Sequence, residues 1–260
     1  MKRMIALIMA LMMSLGLCAQ AQGDELYGCI LDIVMLDENG NEIQPTFTAN
    51  TWTDESGAQM KYWLYAPACP DEDTPLIVYL HGGSGKGDAL GQITAGDGLP
   101  KFLQDGAVSP RAYVLIPQLT NQYKGWVDAG DSVIKLIDYV KASCSISAGK
   151  VSLTGHSMGG TGAWQMALKY PDEFSCVAPM SGNIRMDAAS VQTLKGMPVW
   201  AFVGSEDRIV SPSYSIEFVR ALKTAGADAQ LTVIQGADHF AVPGAYLTSG
   251  VLDWLAAHVK

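Results

Sequence analysis

The sequence predicts an α/β chain with a mostly parallel central β-sheet, helices on its faces and no large cap domain. Three observations predict it. First, short apolar runs of strand length recur: "LIVYL" at 76–80, "AYVLIP" at 112–117, "VSLTG" at 151–155, "CVAPMSG" at 176–182, "PVWAFVG" at 198–204 and "QLTVIQG" at 230–236. Second, helix-like segments separate them, near 98–105, 130–142, 159–170, 212–225 and 245–258. Third, the runs are apolar at successive positions, as in strands buried on both faces, and such strands alternating with helices build parallel βαβ units. The chain has 260 residues and is 48% hydrophobic, which suits one large domain better than two small ones.

The elements follow in order. Lys2 and Arg3 precede an apolar run at 4–17 and then "CAQAQG". A basic start, an apolar stretch too short to span a bilayer and an A-x-A-like site at Ala19–Gln20–Ala21 read as a secretory signal over residues 1–21. Residues 22–260 then form the single mature domain, exported to the periplasm or fully secreted. Lipid anchoring through Cys18 is the alternative, but Leu17 stands where lipoprotein signals carry a small residue. Residues 27–67 read as strands: "CILDIVML" and "MKYWLYAP" are β-branched and aromatic, with a polar, turn-rich middle. "CPDEDTP" is a surface loop. The segment after "HGGSGKGD" is rich in glycine (Gly91, Gly96, Gly98) and makes a poorly defined helix. Residues 184–197 leave room for one short helix, at 187–195, so the site is expected to be open.

Twenty-six acidic residues against seventeen basic ones give a net charge of −9. Such a field repels nucleic acid and anionic membranes, so neither is an expected partner. No other segment is long and apolar enough for a membrane helix. Beyond the signal lie Cys29, Cys69, Cys144 and Cys176. In an exported chain they permit two disulfides in three pairings, or some of them are buried free thiols. None lies in C-x-x-C or a Cys/His cluster, so no zinc site is expected.

In open α/β sheets, ligands bind outside the C-terminal strand ends. The loops there read "HGGSGKGD", "QLTNQ", "GHSMGG", "SEDRIV" and "ADHF". Gly155, His156, Ser157, Met158 and Gly159 match G-x-S-x-G. The pattern alone is weak, arising by chance with probability of roughly 0.2 in a chain of this composition. Its place between a strand and a helix strengthens it, because that sharp turn pushes a serine hydroxyl outward beside free helical N–H groups. A serine nucleophile needs a base. Of His81, His156, His239 and His258, only His239 follows both a strand and the candidate acids. The acid is Asp207 in preference to Glu206, with Asp238 and Asp187 less well placed. The oxyanion donors are the Met158 N–H and the Gly83 N–H, with Gly82 as the alternative to Gly83. Gln118, Tyr123 and Trp126, in the loop after "AYVLIP", and His156 are candidates to line the substrate site. A phosphate loop at "GGSGKGD" is disfavoured, since Lys86 is followed by Gly87.

With these motifs in their order, residues 60–258 resemble the α/β-hydrolase fold. The chain is most similar to small secreted esterases of the feruloyl esterase, acetylxylan esterase and polyhydroxybutyrate depolymerase type, and to predicted-peptidase type proteins. The resemblance implies serine carboxylic-ester hydrolysis with Ser157, Asp207 and His239 as the triad and no metal or organic cofactor. It implies an ester substrate, with acetyl or feruloyl groups on plant polysaccharide as the expected class. A serine peptidase of the same fold is the alternative, and a non-catalytic binding protein on a hydrolase scaffold is a third reading.

Overall fold

A computed structural model describes residues 40, 42–146 and 149–260. The signal expected at 1–21, Cys29 and the strand expected at "CILDIVML" lie outside the described residues. The described strands are β1 (Thr46–Thr53), β2 (Gln59–Ala66), β3 (Leu76–Leu80), β4 (Tyr113–Pro117), β5 (Val151–His156), β6 (Val177–Met180), β7 (Val199–Gly204) and β8 (Ala229–Ile234). They join in the order β1-β2-β4-β3-β5-β6-β7-β8. The β1/β2 and β2/β4 pairs are antiparallel, and every pair from β4 to β8 is parallel.

The six apolar runs of the sequence form β3 to β8; β3 shows why the interior ones are apolar at successive positions, while β8, at the sheet edge, is only half-buried. Leu76, Val78 and Leu80 enter one hydrophobic cluster and Ile77 and Tyr79 enter the other, on opposite faces of the pleat. The first cluster is covered by helices α3 (Gly130–Ser143), α4 (Met158–Lys169), α5 (Ala188–Leu194) and α6 (Ser213–Thr224). The second is covered by α2 (Leu99–Gln104), α7 (Ala245–Thr248) and α8 (Val251–Ala257), with the one-turn α1 (Gly91–Thr94) beside it. Among the described residues, no helix is long and apolar enough to cross a membrane.

Three expectations need correction. The polar middle of 27–67 contains β1, whose Thr-rich sequence hides an edge strand that is mostly exposed, with Phe47 and Trp52 half-buried on opposite faces of the sheet. Phe47 stacks on Trp63 at 4.6 Å, and the Asp54 carboxylate caps the turn to β2 by accepting the N–H groups of Ser56 and Ala58. The helix expected over 245–258 is two pieces, α7 and α8, because Gly250 takes a left-handed conformation between them (φ 75°). Cys69, Cys144 and Cys176 are free thiols. Two disulfides would require a bridge within that trio, so the two-disulfide arrangement does not form.

Candidate active site

Sequence places Ser157 between β5 and α4, and the backbone there is special. Ser157 has φ 60° and ψ −118°, a conformation sparsely populated by residues with a side chain. Its N–H donates to the Met180 carbonyl of β6 at 3.0 Å, which pins the turn. The flanking glycines allow it. A Cβ on Gly155 would lie 2.6 Å from the carbonyl oxygens of Gly159 and Leu80, and one on Gly159 would overlap the Leu80 carbonyl. A tight strand-to-helix turn with its serine at the apex follows from those two absences.

Ser157 lies 2.8 Å (Oγ) from His239 Nε2, and His239 Nδ1 lies 2.8 Å from Asp207 Oδ2. The carboxylate takes the Nδ1–H, so Nε2 is left as acceptor for the serine hydroxyl. His239 and Asp207 are buried, 3% and 7% exposed. The loop after β7 fixes the acid, since Asp207 Oδ1 accepts the N–H groups of Ile209 and Val210 at 2.9 Å. Burial pushes the Asp207 carboxyl up, but the bonds from His239, Val210 and Ile209 outweigh it and hold it below the usual carboxylate range. The Ser181 hydroxyl adds to this from nearby without closing a hydrogen bond of good geometry.

The other carboxylates have different tasks. Glu206 is exposed. Asp187 caps α5 by accepting the Ser190 N–H at 2.8 Å. Asp238 turns the chain after His239 by accepting the N–H groups of Phe240 and Ala241 at 3.0 Å.

His156 touches the base from a second side. Its ring lies 4.7 Å from the His239 ring, and its Nε2–H donates to the His239 carbonyl at 2.9 Å. Burial, with His239 beside it, pushes His156 down to about 4, so it is neutral at pH 7. It thus braces the loop of His239 as a neutral ring, placing no positive charge beside His239.

Opposite the base stands the loop after β3. Met158 and Gly83 are each the first residue of a helical turn, where no helical carbonyl accepts the N–H. Gly82 packs on the elbow: a Cβ there would meet the His156 carbonyl at 3.4 Å and Ser157 Cβ at 3.5 Å. Gly83 is exposed. This loop is held by His81, a residue set aside in the sequence as merely lying among glycines. His81 is buried, donates from Nδ1 to the Gly82 carbonyl at 2.7 Å, and accepts the Leu119 N–H on Nε2 at 3.0 Å. Burial pushes it down to about 4, so the ring is neutral and its tautomer is fixed by these two partners.

Two expected lining residues face inward instead. Trp126 is fully buried, sits edge-on to His81 at 4.8 Å, and donates its Nε1–H to the His81 carbonyl at 3.0 Å. Gln118 is buried and donates from Nε2 to the carbonyls of Gly85 (3.1 Å) and Ala89 (2.9 Å). Both prop the glycine loop from beneath, so neither lines a substrate surface. Tyr123 remains half-buried at the surface. Sequence reasoning also passed over Ile209 and Phe240, which are 61% and 70% exposed beside Asp207 and His239. Large apolar residues left in water next to a site were the available signal.

The Esterase family model matches residues 53–229. Poly(3-hydroxyalkanoate) depolymerase C of Paucimonas lemoignei is 28% identical over 155 residues, covering 53% of this chain and 34% of its own. The chain spans between about a fifth and a half of the length of the curated relatives it matches. Among solved structures, a thermostable esterase superposes with a TM-score of 0.68 at 23% identity, covering 88% of this chain and 71% of that one. The feruloyl esterase module of Clostridium thermocellum, solved with sinapinate, gives a TM-score of 0.62 at 18% identity over 83% of this chain and 88% of that one. The chain belongs to the Esterase family and has the α/β-hydrolase fold.

Proposed function

We propose that this member of the Esterase family is an exported serine hydrolase that removes acetyl or feruloyl groups from plant polysaccharide. The observation that carries the catalytic reading is the unbroken relay from Ser157 Oγ to His239 to Asp207, with both links at 2.8 Å. Export rests on the sequence of residues 1–21. The substrate class rests on similarity to a feruloyl esterase module and on a short β6–β7 connection, which holds one helix of seven residues, α5.

Ser157 Oγ attacks the ester carbonyl while His239 Nε2 takes its proton. The tetrahedral oxyanion forms beside the N–H groups of Met158 and Gly83, where the start of α4 favours negative charge. Asp207, held ionised, stabilises the imidazolium. The imidazolium then protonates the departing alcohol and leaves Ser157 acylated. Water, deprotonated by His239, attacks the acyl-enzyme, and collapse of the second intermediate returns the serine its proton.

A fluorophosphonate probe followed by peptide mass spectrometry tests the assignment. Ser157 is expected to carry the adduct, at a rate that collapses in His239→Ala. Modification elsewhere, or none, refutes it.

A further inference from the structure

A cavity of about 510 Å³ opens on the same edge of the sheet. Trp52 of β1, Gln59 and Met60 of β2, Gly87 and Asp88 after β3, and Asn121 to Tyr123 after β4 supply its wall, and no triad residue does. Strand order explains its position. Ser157, Asp207 and His239 follow β5, β7 and β8, whereas the cavity belongs to β1, β2 and β4, so the glycine loop after β3 lies between the two. The loop joins them physically. Gly82 packs on the Ser157 turn, Gly87 lines the cavity, and the Gly87 N–H donates to the Leu119 carbonyl at 3.0 Å.

We propose that this cavity binds a sugar ring of the ester's alcohol half, so that a saccharide chain runs from it past the glycine loop to Ser157. The proposal rests on the esterase reading and adds a site and a ligand to it. Its ground is the mixture in the wall. A pyranose ring presents C–H groups on its faces and hydroxyls around its rim. Trp52 and Tyr123 are half-buried and backed by the core, which gives fixed aromatic faces for the C–H groups. Gln59, Asn121 and Gln122 carry amides, and Asp88 a carboxylate, able to pair with hydroxyls. The size lies within the range of about 300–1,000 Å³ usual for small-molecule sites. An apolar acyl chain placed here would strip water from those amides and the carboxylate without replacing the bonds. An anionic ligand would meet Asp88 in a chain of net charge −9.

Calorimetry with ester-free xylotriose and cellotriose tests binding on the full chain, for wild type, Trp52→Ala, Trp52→Phe and Tyr123→Ala. At least one trisaccharide is expected to bind wild type. Affinity should fall about tenfold in the two alanine variants and be largely retained in Trp52→Phe. Hydrolysis is measured in parallel. On acetylated xylotriose the alanine variants should lose about tenfold in kcat/KM through KM, while p-nitrophenyl acetate, which has no sugar, changes less than about twofold. The phenylalanine and tyrosine variants guard against a simple folding defect in Trp52→Ala. Absence of trisaccharide binding at millimolar concentration, or equal losses on both substrates, overturns the cavity assignment even if p-nitrophenyl acetate is hydrolysed. Trisaccharide binding lost in both alanine variants, with no ester hydrolysis by wild type, upholds the cavity and rejects the esterase reading.

Discussion

The two walls flanking Ser157 are built in opposite ways. The glycine-loop wall rests on buried polar links: Trp126 to His81, His81 to Gly82 and Leu119, and Gln118 to Gly85 and Ala89. The base wall keeps its acid and histidine buried but ends in exposed apolar side chains, Ile209 and Phe240. The difference suits the proposed reaction. Backbone donors act through position alone, so their loop must be immobile before substrate arrives. In the proposed reaction His239 acts through its own ring, held by Asp207 and braced by His156, and the exposed rim is left for the acyl group.

Removing chemistry from the base wall should give the largest effect. His239→Ala and Asp207→Asn are each expected to cut kcat on p-nitrophenyl acetate by about 10⁴, with little change in thermal stability beyond their own burial. Should Asp207→Asn stay within tenfold of wild type, the orienting role would pass to another acid and the contrast would lose one side.

The glycine-loop wall should break differently, through stability and activity together. Trp126→Ala leaves a cavity under His81 and is expected to cost about 3–5 kcal/mol in chemical denaturation. Trp126→Phe keeps most of the packing but leaves the His81 carbonyl unpaired, at about 1–3 kcal/mol. In that variant kcat should fall about tenfold with KM nearly constant, because a displaced oxyanion donor affects the transition state more than substrate binding. Unchanged kcat would show that the loop does not depend on its prop.

Acid should stress both walls at once. His81 and His156 are both pushed down to about 4 in the fold, against about 6.5 in an unfolded chain. Between those values the unfolded chain binds more protons, so stability is full above pH 6.5 and falls as pH drops toward 4, by up to about 1.4 kcal/mol per pH unit for each histidine. Denaturant midpoints from pH 7 to 4 check this, and His156→Gln should flatten the slope. The same variant should shift the lower limb of the kcat/KM–pH profile if His156 positions the base. A loss of activity uniform across pH would leave it only a packing role. The smallest effect belongs to the rim: Phe240→Ala should change stability by under about 0.5 kcal/mol and raise KM for aromatic acyl esters a few-fold.

Legibility in the sequence divided along similar lines. The strands β3 to β7 were readable because both faces are buried, so their runs are mostly apolar; β8, a half-buried edge strand, was readable from Leu231, Val233 and Ile234. β1 was not, because most residues of this edge strand face water and threonine looks polar in a strand as in a loop. Ser157, Asp207 and His239 could be chosen by rule, since each comes just after a strand and the sheet decides where strand ends meet; the fold does bring the three into contact. Trp126 and Gln118 could not be read, because whether a loop side chain turns out or in depends on partners such as the His81 carbonyl, distant in the chain. His81 was overlooked for the reverse reason: among glycines it reads as exposed, and only its buried partners on both ring nitrogens show otherwise.

The most direct measurement is p-nitrophenyl acetate hydrolysis by the wild-type chain and by Ser157→Ala, with the early time course resolved. The triad account predicts turnover by wild type with covalent acylation of Ser157, and a fall of several orders of magnitude in the variant. Equal rates in the two proteins, or turnover that persists without Ser157, would contradict it.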